Sequence, residues 1–246
     1  MTTEIGHGQD EHEASLHFAC VERTRRSRVV PRRASVLQAR EHDRTDLRSA
    51  TVGSERSFLA LVDRYQPVLA RVASFWFEQP SEIEGLVRQT WASMLQRLDR
   101  FDDQSSLKGW LCVTLIKLAR QRKGPEADES LQLAAAAPAG PTVEPARFSP
   151  AGIPWEGHWQ EPPRDWPEPA QDARDVRDDI APVQAALAAL PHVERLLLAL
   201  RDGEGLSSLE VERALDLDEA TQLRVLHRGR ARVRAALERH YQREAT

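Results

Sequence analysis

The sequence predicts an all-α protein: two small helical domains joined by a Pro/Trp-rich linker, with a disordered polar tail in front. Three observations carry this. Apolar residues recur at spacings of three and four through the stretch from Ser54 to Leu118, which lays them in stripes along helices. A second helical block, Val183 to Tyr241, contains paired helix-start signals around a short turn. Between them, proline and glycine are dense enough to read as extended or irregular chain. The expected boundaries are residues 1–52 for the tail, 53–123 for the first domain, 124–180 for the linker and 181–242 for the second domain.

Composition narrows the classes. With 246 residues, 41% of them hydrophobic, the chain has material for two small cores but not for one large enzyme with additions. A formal net charge of -4 excludes indiscriminate nucleic-acid binding over the whole surface, so any such contact must come from local patches. No apolar run approaches the roughly 18 to 20 residues that cross a bilayer, and the opening residues lack the basic-then-apolar plan of a signal peptide. The expected location is the cytoplasm. Cys20 and Cys112 lie far apart and form neither a disulfide framework nor a zinc motif; Cys112, inside a helical pattern, reads as a buried thiol.

Residues 1–52 are polar and arginine-rich without sustained periodicity, and the RTRRSRVVPRR segment reads as flexible tail or as a weak nucleic-acid contact. His7, His12, His17 and Cys20 match no metal-ligand spacing, so no metal or other cofactor is expected. Phe58, Val62, Tyr65, Leu69, Val72 and Trp76 then mark a helix, with a kink or break expected at Pro67. Ser81 and Glu84 have capping-box spacing before a second helix with Ile83, Val87, Trp91, Met94 and Leu98 on one face. After the loop FDDQSS, a third helix begins near Ser106, carries Leu107, Trp110, Leu111, Thr114, Leu115 and Leu118, and stops at Gly124 and Pro125. In the linker, Trp155, Trp159 and Trp166 either pack onto a domain or meet a partner, and Asp172, Asp175, Asp178 and Asp179 read as a solvated acidic run or as a mimic of nucleic-acid charge.

In the second domain, Leu196, Leu197 and Leu200 supply a core before the glycines of RDGEG turn the chain. Ser207 and Glu210 form a capping box for a short helix with Val211, Ala214 and Leu215 on its apolar face, and Asp218 caps the next. The result is a helix-turn-helix. Acidic residues precede Thr221, while Arg224, Arg228, Arg230, Arg232, Arg234 and Arg239 follow it. That helix is either a recognition helix entering a major groove or a solvated basic face.

SFLALVDRYQPVLARVA and SEIEGLVRQTWASMLQRLDRFDDQSSLKGWLCVTLIKLARQRK resemble region two of the extracytoplasmic-function (ECF) sigma factors of bacterial RNA polymerase, and Val183 to Tyr241 resembles their region four, in the same order. Together the two stretches cover about half of the chain. The resemblance implies that Ile83, Glu84, Leu86, Val87, Arg88 and Gln89 dock on core RNA polymerase. It implies that Asp102, Asp103, Gln104, Ser105 and Lys108, with Trp110 beside them, handle the melted downstream promoter element, while Lys117, Arg120, Gln121, Arg122 and Lys123 hold DNA next to it. Thr221, Gln222, Arg224, His227, Arg228 and Arg230 would meet the upstream element. An anti-sigma partner is usual for the family. The chain departs from the family pattern at Gly85, Arg88, Lys117, Gln121, Glu212, Asp216 and Gln222, and Gln222 on a core stripe needs a polar partner.

The expected function is therefore non-enzymatic promoter recognition with core RNA polymerase and promoter DNA as partners. The alternative is a sigma-like DNA-binding regulator or adaptor that does not itself direct initiation. A metal-dependent enzyme ranks behind both, because no set of nucleophile, base and oxyanion donors can be assembled from the sequence.

Overall fold

The computed structural model describes residues 33–97, 101, 106–138, 140–141, 143–162 and 175–244. Among them the chain is all-α, apart from one isolated antiparallel bridge between Phe148 and Trp159. In order come α1 (Arg33–Thr51), α2 (Glu55–Ala73), α3 (Pro80–Gln96), α4 (Leu107–Lys123), α5 (Pro125–Ala136), a 3-10 turn (Pro145–Arg147), α6 (Asp175–Ala188), α7 (His192–Leu198) running into a π turn (Ala199–Gly203), α8 (Ser208–Leu215) and α9 (Glu219–Glu244). They belong to two compact units, Met1–Pro67 and Val68–Thr246.

In the first unit, α1 corrects the expectation of an irregular tail over residues 33–51. Hydrophobic periodicity could not reveal it, because polar groups hold this helix. Buried Asp43 accepts a hydrogen bond from Arg64 at 2.5 Å and another from the Tyr65 hydroxyl, while Asp46 takes the other arm of Arg64 at 3.0 Å. Leu47 is buried beside them in sequence. Burial, the Asp43 hydrogen bond and its negative charge all push the Tyr65 phenol upward, so it stays a neutral donor. α2 continues from Glu55 through Pro67 to Ala73 without the expected break.

In the second unit, α3 starts earlier than the Ser81–Glu84 signal implied. Pro80 occupies the first helical position after an extended Gln79 (φ -75, ψ 127), and no side chain caps this end. Proline pre-sets the helical φ and lacks the N–H that a cap would satisfy. α4 is the central helix, packed against α3, α5 and α8. That position explains why its buried residues, Leu107, Leu111, Cys112, Leu115, Ile116 and Ala119, spread wider than one stripe, while Trp110, Thr114 and Leu118 are only half-buried. Burial drives the Cys112 thiol up to about 12, with the nearby Glu204 charge adding to it. Iodoacetamide treatment of the folded protein should leave Cys112 unmodified in a peptide map and label it fully in urea; labelling in the folded protein at a rate matching a free thiol would contradict this burial.

α4 ends where Gly124 adopts φ 83, and α5 follows at once. This is a second correction, since the start of the linker is helical. Pro125 opens α5, Glu126 and Asp128 lie in its first turn, and Leu131 and Ala135 are buried. The breaking prolines come later. Further along, Phe148 and Trp159 pair across the isolated bridge with ring centroids 4.3 Å apart, and Arg147 lies over the Trp159 ring while pairing with Glu238 of α9 at 2.8 Å. Trp159 thus packs in part, whereas Trp155 is 75% exposed; Trp166 lies outside the described residues.

Candidate nucleic-acid interface

The helix-turn-helix is built as its sequence predicts. Ser207 accepts from the Glu210 amide at 3.2 Å, and Glu210 Oε2 accepts from the Ser207 amide at 2.8 Å, closing the capping box of α8. Asp218 Oδ1 accepts from the Thr221 amide at 2.7 Å and starts α9. Between them Asp216 takes the left-handed conformation (φ 55, ψ 36) that a glycine would adopt without strain. Arg120 of α4 offsets this cost, pairing with the Asp216 carboxylate and donating to the Ala214 carbonyl, each at 2.8 Å.

Gln222, expected at a base edge, is instead a strut of the turn. It is 1% exposed, and its Nε2 donates to Ser208 O at 3.0 Å and Leu217 O at 2.8 Å. Those carbonyls satisfy its amide nitrogen, while its Oε1 is buried with no hydrogen-bond partner among the described residues. Arg228 is also buried. Its Nε donates to Glu194 at 2.5 Å, and its two terminal nitrogens donate to Ala137 O at 2.7 Å and Ala134 O at 3.0 Å at the end of α5. Both residues are therefore committed inside the chain in this arrangement.

Nor is the arginine row of α9 a plain solvated face. Arg230 grips Asp202 with two nitrogens, at 2.9 and 2.7 Å, Arg232 pairs with Glu194, and Arg234 with Glu238. What α9 turns outward near its start is a stripe of Leu223, Arg224, His227 and Arg230, with Thr221 half-buried and accepting from Arg224 at 2.8 Å. Leu223 was missed from sequence. No sequence signal marked it: Leu226, three positions on along nearly the same face, is buried, while Leu223 is exposed.

The other candidate surface lies on α3 and α4. Leu86 and Val87 are buried in the core and cannot be contact residues here, Ile83 is half-buried, and Glu84, Arg88 and Gln89 are exposed. Arg122 crosses from α4 to donate to the Gln89 amide oxygen at 2.5 Å and to Gly85 O at 3.3 Å, so α3 and α4 share one surface. A Cβ at Gly85 would stand 3.8 Å from the Arg122 guanidinium, an ordinary contact. Lys117, Gln121 and Lys123 are exposed, Lys123 lying 4.6 Å over the Phe77 ring. Lys108 donates to the Glu204 carbonyl, and half-buried Trp110 meets Phe101 edge-on. Asp102, Asp103, Gln104 and Ser105 lie outside the described residues, as do His7, His12, His17 and Cys20. Among the described residues no cluster of His, Cys, Asp or Glu is arranged to hold a metal ion, and no helix is long and apolar enough to cross a membrane.

Residues 61–123 match the family described as Sigma-70 region 2, so this stretch of the chain is a sigma-70 region 2 domain. No curated protein sequence matches the chain. Among solved structures, the chain is similar to CnrH in complex with the cytosolic domain of CnrY, at 22% identity over 80% of this chain and 97% of that one, with a TM-score of 0.46. It is also similar to the sigma factor RpoE in complex with the anti-sigma factor NepR from Bartonella quintana, at 18% identity over 74% of this chain and 97% of that one, with a TM-score of 0.43.

Proposed function

We propose, starting from the sigma-70 region 2 domain at residues 61–123, that the chain is a sigma factor of ECF type that directs core RNA polymerase to promoters and starts transcription in the cytoplasm. The observation that carries this reading is the presence of that domain in the same chain as a capped helix-turn-helix with an outward stripe of Arg224, His227 and Arg230. Glu84, Arg88 and Gln89 form the exposed part of the polymerase-docking surface, and Lys117, Gln121, Arg122 and Lys123 lie along the neighbouring helix for the downstream promoter element. The role is one of binding, with no chemistry assigned to the chain. An anti-sigma factor is a further partner under this reading.

The test is multi-round transcription with purified protein and core polymerase on a pool of genomic fragments, with the transcript starts sequenced. Discrete starts sharing two spaced upstream motifs are expected. Arg224→Ala should then relax base preference at the upstream motif, by about 1–3 kcal/mol if it reads a guanine edge, and leave the downstream motif unchanged. Binding to core polymerase without any starts would favour the adaptor reading instead.

A further inference from the structure

From Ala220 onward, α9 turns Ala220, Leu223, Arg224, His227 and Arg230 outward, at the spacings of three and four that share one helix face. The front of this face differs in chemistry from the rest. Arg224, His227 and Arg230 carry nitrogen donors, whereas Ala220 and Leu223 have no polar side-chain atom, and Leu223 is 54% exposed. Its neighbour Gln222 is turned the other way and bonded to Ser208 O and Leu217 O, which fixes the roll of the helix start and keeps Leu223 at the surface.

A single exposed leucine needs no explanation on an arbitrary surface. This one stands near the N-terminal end of the second helix of a helix-turn-helix, the part that meets base edges in a major groove. Asp218 caps that end through the Thr221 amide and Glu219 follows it, so two carboxylates disfavour phosphate there. Base edges are left as what Ala220 and Leu223 can meet. Along the major groove the C5-methyl of thymine is the one apolar group; guanine, adenine and cytosine present donors and acceptors. Leucine pressed on those edges would strip their water and return no hydrogen bond, whereas against thymine it buries methyl on methyl.

Resting on the reading of α9 as the promoter-facing helix, we propose that Leu223 is a specificity-determining residue: it selects a thymine in the upstream promoter element by packing on the C5-methyl group. The small side chain of Ala220 lets the base approach. The upstream element therefore carries a preferred thymine close to the base pairs read by Arg224 and His227.

The test uses the full chain in the presence of core polymerase. Fluorescein-labelled duplexes that the chain enriches from a random pool define the upstream motif, and each thymine in it is replaced in turn by deoxyuridine. That replacement keeps every hydrogen-bonding group and removes only the methyl. At one position the unaltered protein should lose about fourfold in affinity, the fold-change for burying one methyl group. Leu223→Ala should bind the thymine and deoxyuridine duplexes equally at that position. No methyl-sensitive position, or the same loss in Leu223→Ala, would overturn the assignment, as would failure to enrich any motif. The first of these comparisons uses the unaltered protein alone and does not depend on the variant folding. Weaker core-polymerase binding by Leu223→Ala with its methyl penalty intact would set the leucine against protein and overturn the assignment too. Discrete transcript starts without a methyl penalty would leave the initiation reading standing and this inference fallen; a Leu223-dependent penalty without starts would do the reverse.

Discussion

Glu194→Leu is expected to destabilise the folded chain by about 3–5 kcal/mol, measured as a shift in urea midpoint at unchanged slope. Glu194 lies between Val193 and the leucines 196–198 in HVERLLL and is only 1% exposed. Arg228 reaches it at 2.5 Å and Arg232 at 3.0 Å, so one carboxylate is shared by two guanidiniums, the first of them buried. Without it, Arg228 keeps only the Ala134 and Ala137 carbonyls and its charge is uncompensated. Arg228→Leu should cost less, because Glu194 retains Arg232, which is half in solvent. The Glu194→Leu/Arg228→Leu double variant should recover part of the loss, since replacing both charges removes the desolvation cost of each. A single-variant loss below about 1 kcal/mol would mean that the pair is as weak as a surface bridge.

That pair shows where sequence reasoning stops. The helices with regular apolar spacing and side-chain caps were legible: Ser106, Ser207, Glu210 and Asp218 act as their positions imply, and Leu196, Leu197 and Leu200 form a fully buried core. Elements held by long-range polar contacts were not. α1 rests on Asp43 meeting residues about twenty positions away, and α5 is tied by Gln132 to the Leu215 carbonyl and by its own Ala134 carbonyl to Arg228, each partner over eighty positions away. Side-chain charge in a sequence does not say what will neutralise it. The arginines of α9 resembled a DNA-binding row, but Asp202, Glu194 and Glu238 claim Arg228, Arg230, Arg232 and Arg234, whereas Arg224, His227 and Arg239 face outward apart from those three acids. Local periodicity finds faces of helices; it does not find ion pairs between them.

Gln222→Glu separates the two roles that position 222 has been given. A base-contacting glutamine lies at the surface, and exchanging it for an isosteric acid would alter promoter preference while leaving stability unchanged. The buried strut behaves otherwise. Its Nε2 donates to both Ser208 O and Leu217 O, and a carboxylate there would aim negative charge at two carbonyl oxygens with no cation assigned to it. The new side chain escapes by taking up a proton, and this bounds the loss. Protonating an ordinary glutamate at pH 7 costs about 1.4 kcal/mol for each unit above its usual value near 4.3, or about 4 kcal/mol in all. The sign follows from linkage: burial raises the folded-state value above the unfolded one, so the deficit relative to Gln222 is largest above the folded value and shrinks as pH falls through it. Below the unfolded value, the protonated acid donates to one of the two carbonyls and only about 1 kcal/mol should remain. Urea unfolding of both proteins at about pH 7.5 and about pH 3.5 measures this, and a pH-independent difference close to zero would return Gln222 to the DNA-facing surface.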